Sequence, residues 1–157
     1  MSTVNSILFV CLGNICRSPT AEAVFKAKAK KRGIQVQSDS AGTMAYHQGS
    51  SSDKRVRVAG ERRGYDFSGI IARGIEDKDF ADFDLILAAD NQNLQDLRSR
   101  CPLEFQHKLA LILSFADADY SEVPDPYYGG EQGFELVLDL LEISCDNLLD
   151  KLSASVR

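Results

Sequence analysis

Proline and glycine are sparse in this chain, at 4 and 11 of 157 residues, and no internal repeat or low-complexity tract interrupts it. Disordered, collagenous and solenoid architectures are excluded on that count. No apolar run is long enough to span a bilayer. The longest, Ile7 to Leu12, follows no basic stretch of the kind a secretory leader carries, so the expected address is cytoplasmic with no membrane partner. Cysteine is too scarce and too unevenly placed for a disulfide framework, and Cys11, Cys16, Cys101 and Cys145 lack the spacing of a zinc site. Positive charge is not in excess either. Lys and Arg number 18 against 23 Asp and Glu, a net −5, which disfavours nucleic acid as a partner. Any anion handled here must meet a local cationic site.

What remains is the composition of an ordinary globular protein, 44% hydrophobic and 26% charged. With no linker to divide it, the chain reads as one domain over residues 1–157, long enough to bury roughly two-thirds of its unfolded surface. Ser6 to Val10 reads as a strand and Gly13 as a tight loop, with Ser18 capping a helix whose first turn holds Pro19. Ala21, Val24 and Phe25 continue it, and five cations from Lys26 to Arg32 stand before Gly33 at the negative end of the dipole. Ile34 to Ser40 alternates as a second strand, followed by a loop from Ala41 to Ser52 and a basic helix from Asp53 to Arg63. Asp84 to Ala89 reads as a buried strand, Asp90 and Asn91 open a helix, and Leu109 to Leu113 supplies a fourth strand. Phe134, Val137, Leu138, Leu141, Cys145, Leu148, Leu149 and Leu152 form one stripe along a final helix. Strands alternating with helices predict an α/β fold with a parallel sheet covered on both faces. Such sheets bind ligands where a strand's carboxyl end loops into a helix.

The first of those loops is the informative one. Cys11-Leu-Gly-Asn-Ile-Cys16-Arg17-Ser18 sets a cysteine, five residues, an arginine and a serine between a strand and a helix amino terminus. Curled backbone amides from Leu12, Gly13, Asn14, Ile15 and Cys16 make an anion nest, to which the helix adds its positive end. Gly13 and Asn14 tolerate the left-handed conformations that curling needs. Arg17 offers a planar fork to two oxygens of a tetrahedral oxyanion, and the same positive field favours a Cys11 thiolate aimed at phosphorus. The Ser18 hydroxyl can donate to that thiolate and ease its departure. No Gly-Lys pair occurs, so this is not a nucleotide-binding loop. A lone strand-end cysteine is ordinarily structural; the coincidence of Cys, Arg and Ser with Gly and Asn favours chemistry here. A phosphocysteine forms only if the leaving oxygen is protonated, and Asp125 in Val123-Pro-Asp-Pro-Tyr-Tyr128 is the candidate acid, although alone it would read as a solvated turn.

Taken together, Cys-Leu-Gly-Asn-Ile-Cys-Arg-Ser-Pro near the amino terminus and Asp-Pro-Tyr-Tyr near the carboxyl terminus resemble the low-molecular-weight protein tyrosine phosphatase family. The resemblance implies a three-layer fold, a four-stranded parallel sheet with helices on both faces. It also implies hydrolysis of phosphotyrosine proteins and aryl phosphates with no metal or cofactor, by a monomer or weak dimer. Cys11 is implied as nucleophile, Arg17 as phosphate clamp, and Asp125 as acid and then base. Asn14 and Ser40 match polar supports of the loop, and Leu12, Tyr46, Tyr127 and Tyr128 match walls of the ring pocket. Cys16 matches a cysteine that closes a reversible, protective disulfide with the nucleophile. The tyrosine pair is phosphorylated in some relatives, though the wall reading is stronger here. One departure stands out: where many members read His-x-Ala-Arg, this chain has Ile70-Ile-Ala-Arg73, without a histidine often tied to the loop's hydrogen-bond network. His47 and His107 read as surface residues.

Three other readings fit the sequence less well. An arsenate reductase of the same fold needs further cysteines for a disulfide relay, and Ala88 to Leu94 has none, with Cys101 lacking a partner there. A phosphocarrier subunit needs no acid for a leaving group, so Arg17 with Asp125 speaks against it. A noncatalytic phosphotyrosine-binding module would have lost the nucleophile or the acid.

Overall fold

The computed structural model describes residues 4–126 and 130–155, with the backbone alone described at 131, 154 and 155. Strand β1 (Ser6–Cys11) lies at the centre of the sheet, which is why Ile7, Leu8, Phe9 and Val10 are apolar without alternation: none has exposed surface. It pairs in parallel with β2 (Gln37–Gly42) and β3 (Leu85–Ala88), and β4 (Leu109–Leu111) extends the sheet in the order β2-β1-β3-β4. Successive β1 side chains divide the core. Ile7, Phe9 and Cys11 face helices α1 (Arg17–Arg32) and, after the intervening elements, the long terminal helix Gly130–Ser155, where Phe9 meets Phe25 with ring centres 5.7 Å apart. Leu8 and Val10 join Phe80, Leu94 and Leu97 on the other face.

Between these lie α2 (Lys54–Arg62), the short α3 (Asp79–Asp82) and α4 (Asn91–Arg100), so that the terminal helix is α5. Two 3-10 turns, Leu103–Lys108 and Ile112–Phe115, flank β4. The sheet order reverses between β1 and β3: the chain leaves β1 toward β2 on one side and returns to β3 on the other. The crevice beyond the carboxyl ends of β1 and β3 is the switch point where open parallel sheets bind ligands. Cys11 ends the one strand and Asp90 follows the other.

Element boundaries moved for identifiable reasons. The second strand begins at Gln37, not Ile34, because Gly33 adopts a left-handed cap (φ 70°) and the Ile34 amide turns back to the Ala29 carbonyl at 2.9 Å, closing the helix end. The fourth strand stops at Leu111, the last residue opposite β3, and coils into a 3-10 turn braced by Ser114 Oγ on the Leu111 carbonyl at 2.6 Å. Ser18 is not the cap of α1. Cys16 holds that position without a side-chain cap bond, and the Ser18 hydroxyl turns into the loop. Among the described residues, no helix is long and apolar enough to cross a membrane.

Candidate active site

The chain leaves β1 at Cys11, bends through residues 12–16 and enters α1 at Arg17. Asn14 supplies the left-handed turn, with φ 58°. The bend is gripped from outside by main-chain bonds: Thr43 N–H to the Cys11 carbonyl (2.9 Å), Met44 N–H to that of Leu12 (3.0 Å) and Asp53 N–H to that of Ile15 (2.8 Å). Gly42 is obligatory at this crossing, since a Cβ there would lie 2.7 Å from the carbonyl oxygens of both Leu12 and Met44.

Within the loop, the Cys11 sulfur lies 3.0 Å from Ser18 Oγ and accepts the Asn14 N–H at 3.3 Å. Asn14 Nδ2 donates to the same Ser18 oxygen at 2.8 Å, so the serine's own proton is directed at Sγ rather than at the more distant Ala41 carbonyl, 3.5 Å away. Asn14 is itself fixed, its Oδ1 accepting the Arg73 N–H at 3.0 Å. Arg17, nine-tenths buried, spends one terminal nitrogen on structure. Its Nη1 donates to Asp90 Oδ2 at 2.8 Å and to the Val123 carbonyl at 3.0 Å. The opposite edge, Nε with Nη2, keeps the parallel donor pair that fits two oxygens of a phosphoryl group. Asp90 is held in turn, capping α4 through the Asn93 N–H at 2.8 Å.

These groups open into a cleft of about 140 Å³ lined by Cys11, Leu12, Arg17, Tyr46, His47 and Asp125, with Gly13, Ile15 and Cys16 in its base. Leu12 and Tyr46 are exposed at 48% and 75%, so the rim presents an apolar side chain and an aromatic ring to solvent. Asp125 is an exposed member of the same wall. His47 is solvent-exposed, as expected of a surface residue, and it also borders this cleft, where a Cβ on Gly13 would meet its ring at 3.0 Å. Tyr127 and Tyr128 lie outside the described residues.

Ser40 lies one step from the loop. Its hydroxyl donates to Glu22 Oε1 at 2.6 Å, and Glu22, only 3% exposed on α1, also pairs with Lys26. Burial pushes the Glu22 carboxyl above its ordinary range, against the opposing pull of Lys26 and Ser40. Ile70, at the position of the missing histidine, is 6% exposed in the core, and the donor to Asn14 Oδ1 is the Arg73 backbone N–H. The Arg73 side chain forks onto Asp79 (2.9 and 3.2 Å) and Asp39 (3.1 Å). Cys11 and Cys16 are both buried thiols. Burial raises Cys101 and Cys145 above the ordinary thiol range, which leaves them poor nucleophiles. Among the described residues, no group of three or more His, Cys, Asp or Glu is placed to hold a metal ion.

Asp90 and Gly42 are the members the sequence reading passed over. Asp90 was read only as a helix start, and its position after the third strand, across the switch point from Cys11, was the available signal. The chain as a whole is similar to known proteins. Residues 6–157 match the model of the family described as low molecular weight phosphotyrosine protein phosphatase. The chain is 47% identical over 150 residues to the Synechocystis protein slr0328, covering 93% of this chain and 95% of that one. It is 41% identical over 147 residues to the low molecular weight protein-tyrosine-phosphatase YfkJ of Bacillus subtilis, covering 92% and 93%. A crystal structure of a protein tyrosine phosphatase from Entamoeba histolytica superposes with a TM-score of 0.92 at 45% identity, over 98% of this chain and 99% of that one. Shared sequence over nearly the full length, with a shared backbone, places the chain in the low molecular weight phosphotyrosine protein phosphatase family.

Proposed function

We propose that the chain hydrolyses phosphotyrosine in proteins through a phosphocysteine on Cys11. The observation that carries this reading is the pair of donors converging on Sγ, from Ser18 and Asn14, opposite an arginine whose outward edge is held ready by Asp90. The Cys11 thiolate attacks phosphorus while Arg17 and the loop amides take the equatorial oxygens. The phosphorus–oxygen bond to the phenol breaks as Asp125 gives its proton to that oxygen. Water then attacks the phosphocysteine, its proton passing to the Asp125 carboxylate. The sulfur–phosphorus bond breaks with its electron pair returning to Sγ, where the Ser18 and Asn14 hydrogens receive the charge. Leu12 and Tyr46 flank the phenol ring. Cys16 belongs to the same cleft, and its proposed second role is a disulfide with Cys11, formed by peroxide at the cost of both thiol hydrogens, which leave as water.

Hydrolysis of an aryl phosphate and of phosphotyrosine and phosphoserine peptides, with chelator and fresh thiol, tests the reading. Wild type should turn over the aryl and tyrosine substrates, and Cys11→Ser neither. Asp125→Ala should lose about two to four decades on poor leaving groups and less on good ones. Equal losses across leaving groups would remove Asp125 from the acid's role, and Cys11-independent turnover would end the mechanism. If Cys16→Ser recovers from peroxide as fully as wild type on adding thiol, its protective role fails.

A further inference from the structure

A second opening, larger than the catalytic cleft, lies beside it. A groove of about 370 Å³ runs between α2 and the start of α5, with Val58, Ala59 and Phe134 as its apolar floor and Lys54, Arg55 and Arg62 along its wall. A narrow seam lined by Cys16, Ala59, Pro126 and Phe134 shares walls with both this groove and the catalytic cleft. The end of the groove nearest Asp53 is tied to the catalytic loop, since the Asp53 amide bonds the Ile15 carbonyl at 2.8 Å.

Two of the three cations of this groove, Lys54 and Arg62, form no ion pair among the described residues. Arg55 stacks over the Phe134 ring at 5.3 Å and stands 3.5 Å from Asp53. Among the described residues, the acid on the wall is Glu135, which is already paired with Arg63 at 2.8 Å, and Arg63 also engages Asp139 and Glu142. Lys54 and Arg62 are exposed. A protein of net charge −5 thus sets two cations, Lys54 and Arg62, without an ion pair among the described residues along an apolar trough beside its catalytic cleft. From Lys54 to Arg62 the helix rises about 12 Å, a distance that an extended peptide covers in about four residues.

We propose that this groove docks an acidic segment of the phosphoprotein substrate, its carboxylates meeting Lys54 and Arg62 and an apolar side chain resting on Val58 and Phe134. The proposal rests on the phosphotyrosine phosphatase reading and adds to it a substrate class, phosphotyrosines flanked by acidic sequence. The match is one of charge complementarity on an apolar floor, which favours encounter rate and selectivity over raw affinity.

The test compares kcat/KM for three phosphotyrosine peptides, flanked by glutamates, serines or lysines, with an aryl phosphate as reference. Wild type should favour the glutamate peptide over the serine one by about three- to tenfold at low salt, with the margin shrinking as salt is raised. Lys54→Gln with Arg62→Gln should erase that preference while leaving aryl phosphate turnover and the unfolding midpoint unchanged, and Arg62→Glu should invert it. Turnover of all three peptides at rates indifferent to flank charge, or a preference that survives these substitutions, overturns the docking proposal alone. Aryl and peptide substrates all left intact overturn the phosphatase reading, and the docking proposal with it. Binding to phosphatidylserine vesicles that the same substitutions abolish, without any peptide preference, assigns the groove to a membrane surface and also overturns the proposal.

Discussion

Replacing Gly42 with alanine puts a single methyl group where the second strand passes under the catalytic loop. That carbon would sit 2.7 Å from two carbonyl oxygens, of Leu12 and Met44, and 3.1 Å from the Gly13 carbonyl carbon. Ordinary contact begins at 3.4 Å, so each oxygen must retreat by about 0.7 Å. Neither belongs to a flexible side chain, and the two peptides are locked together by the Met44 N–H on the Leu12 carbonyl. The strain must therefore reach Gly13 and Asn14, whose amide holds the Cys11 sulfur. Since a misplacement of about 1 Å can cost roughly a hundredfold in rate, kcat for an aryl phosphate should fall about ten- to a hundredfold. The overpacking itself should cost about 1–3 kcal/mol. Gly60→Ala is the matched control, because its Cβ would meet the Phe67 ring at 2.5 Å, between α2 and the segment after it. It should lower the denaturant midpoint comparably while the folded enzyme keeps its kcat. Steady-state kinetics on protein shown to be folded, alongside urea titration, separates the two effects. A Gly42→Ala enzyme with wild-type kcat would refute the claim that this crossing sets the loop.

Asp90→Asn removes the charge facing Arg17 and leaves one acceptor oxygen for two donors, Arg17 Nη1 and the Asn93 N–H, so stability should fall by about 1 kcal/mol while kcat/KM drops about tenfold. Asp90→Ala should lose both contacts, and wild-type kinetics in either variant would show that the charge facing Arg17 does not set the rate. Arg73→Met removes the fork from Asp79, which is 3% exposed, and leaves that carboxylate with the Glu76 N–H at 2.7 Å. Breaking such a buried pair should cost about 3 kcal/mol, seen in urea unfolding, and wild-type stability would sink the argument. Glu22 supplies a pH dependence. Its folded-state pKa is raised above the ordinary 4.5, so the folded protein holds this proton more tightly than the unfolded chain. Its contribution to stability is therefore greatest below 4.5, declines as pH rises through the raised value, and is level above it. Wild type should lose stability relative to Glu22→Gln over that interval, and a pH-independent difference between the two would contradict the assignment.

The central layer was legible because β1 is buried on both faces, which forces the unbroken Ile7–Val10 run, and because α5 packs only one face, which forces a stripe. Cys11 and Arg17 were legible because their chemistry is local: five residues on one bend bring them together. The parts misjudged or passed over depend on distant chain. Gly33 closes its helix in a left-handed cap that consumes the Ile34 amide, so a sound alternation of apolar residues began three residues before the strand did. Ser18 has the residue type of a cap and lies beside the cap position, but the nearby sulfur and Asn14 capture its hydroxyl. His47 shows no partner at any sequence spacing, and only the return of residues 43–53 over the loop brings it to the cleft.

The hydrogen bond that steadies the Asn14 side chain comes from the main chain. A histidine donor would titrate, its charge varying near neutral pH. Asn14 receives the Arg73 main-chain N–H, a donor that cannot titrate and whose position depends only on where the backbone lies. Two anchors fix that backbone. Ile70 is buried in the cluster that includes Val56, Ala59 and Phe67, and three residues later the Arg73 guanidinium is clamped between Asp39 and Asp79. The Gly42 amide donates to the Arg73 carbonyl at 2.8 Å, so the residue that steadies Asn14 from one side is itself bonded to the strand end that supports Leu12 from the other. Apolar burial and a paired arginine thereby hold the main-chain donor in place, and no ionisable side chain at position 70 enters the geometry around Cys11.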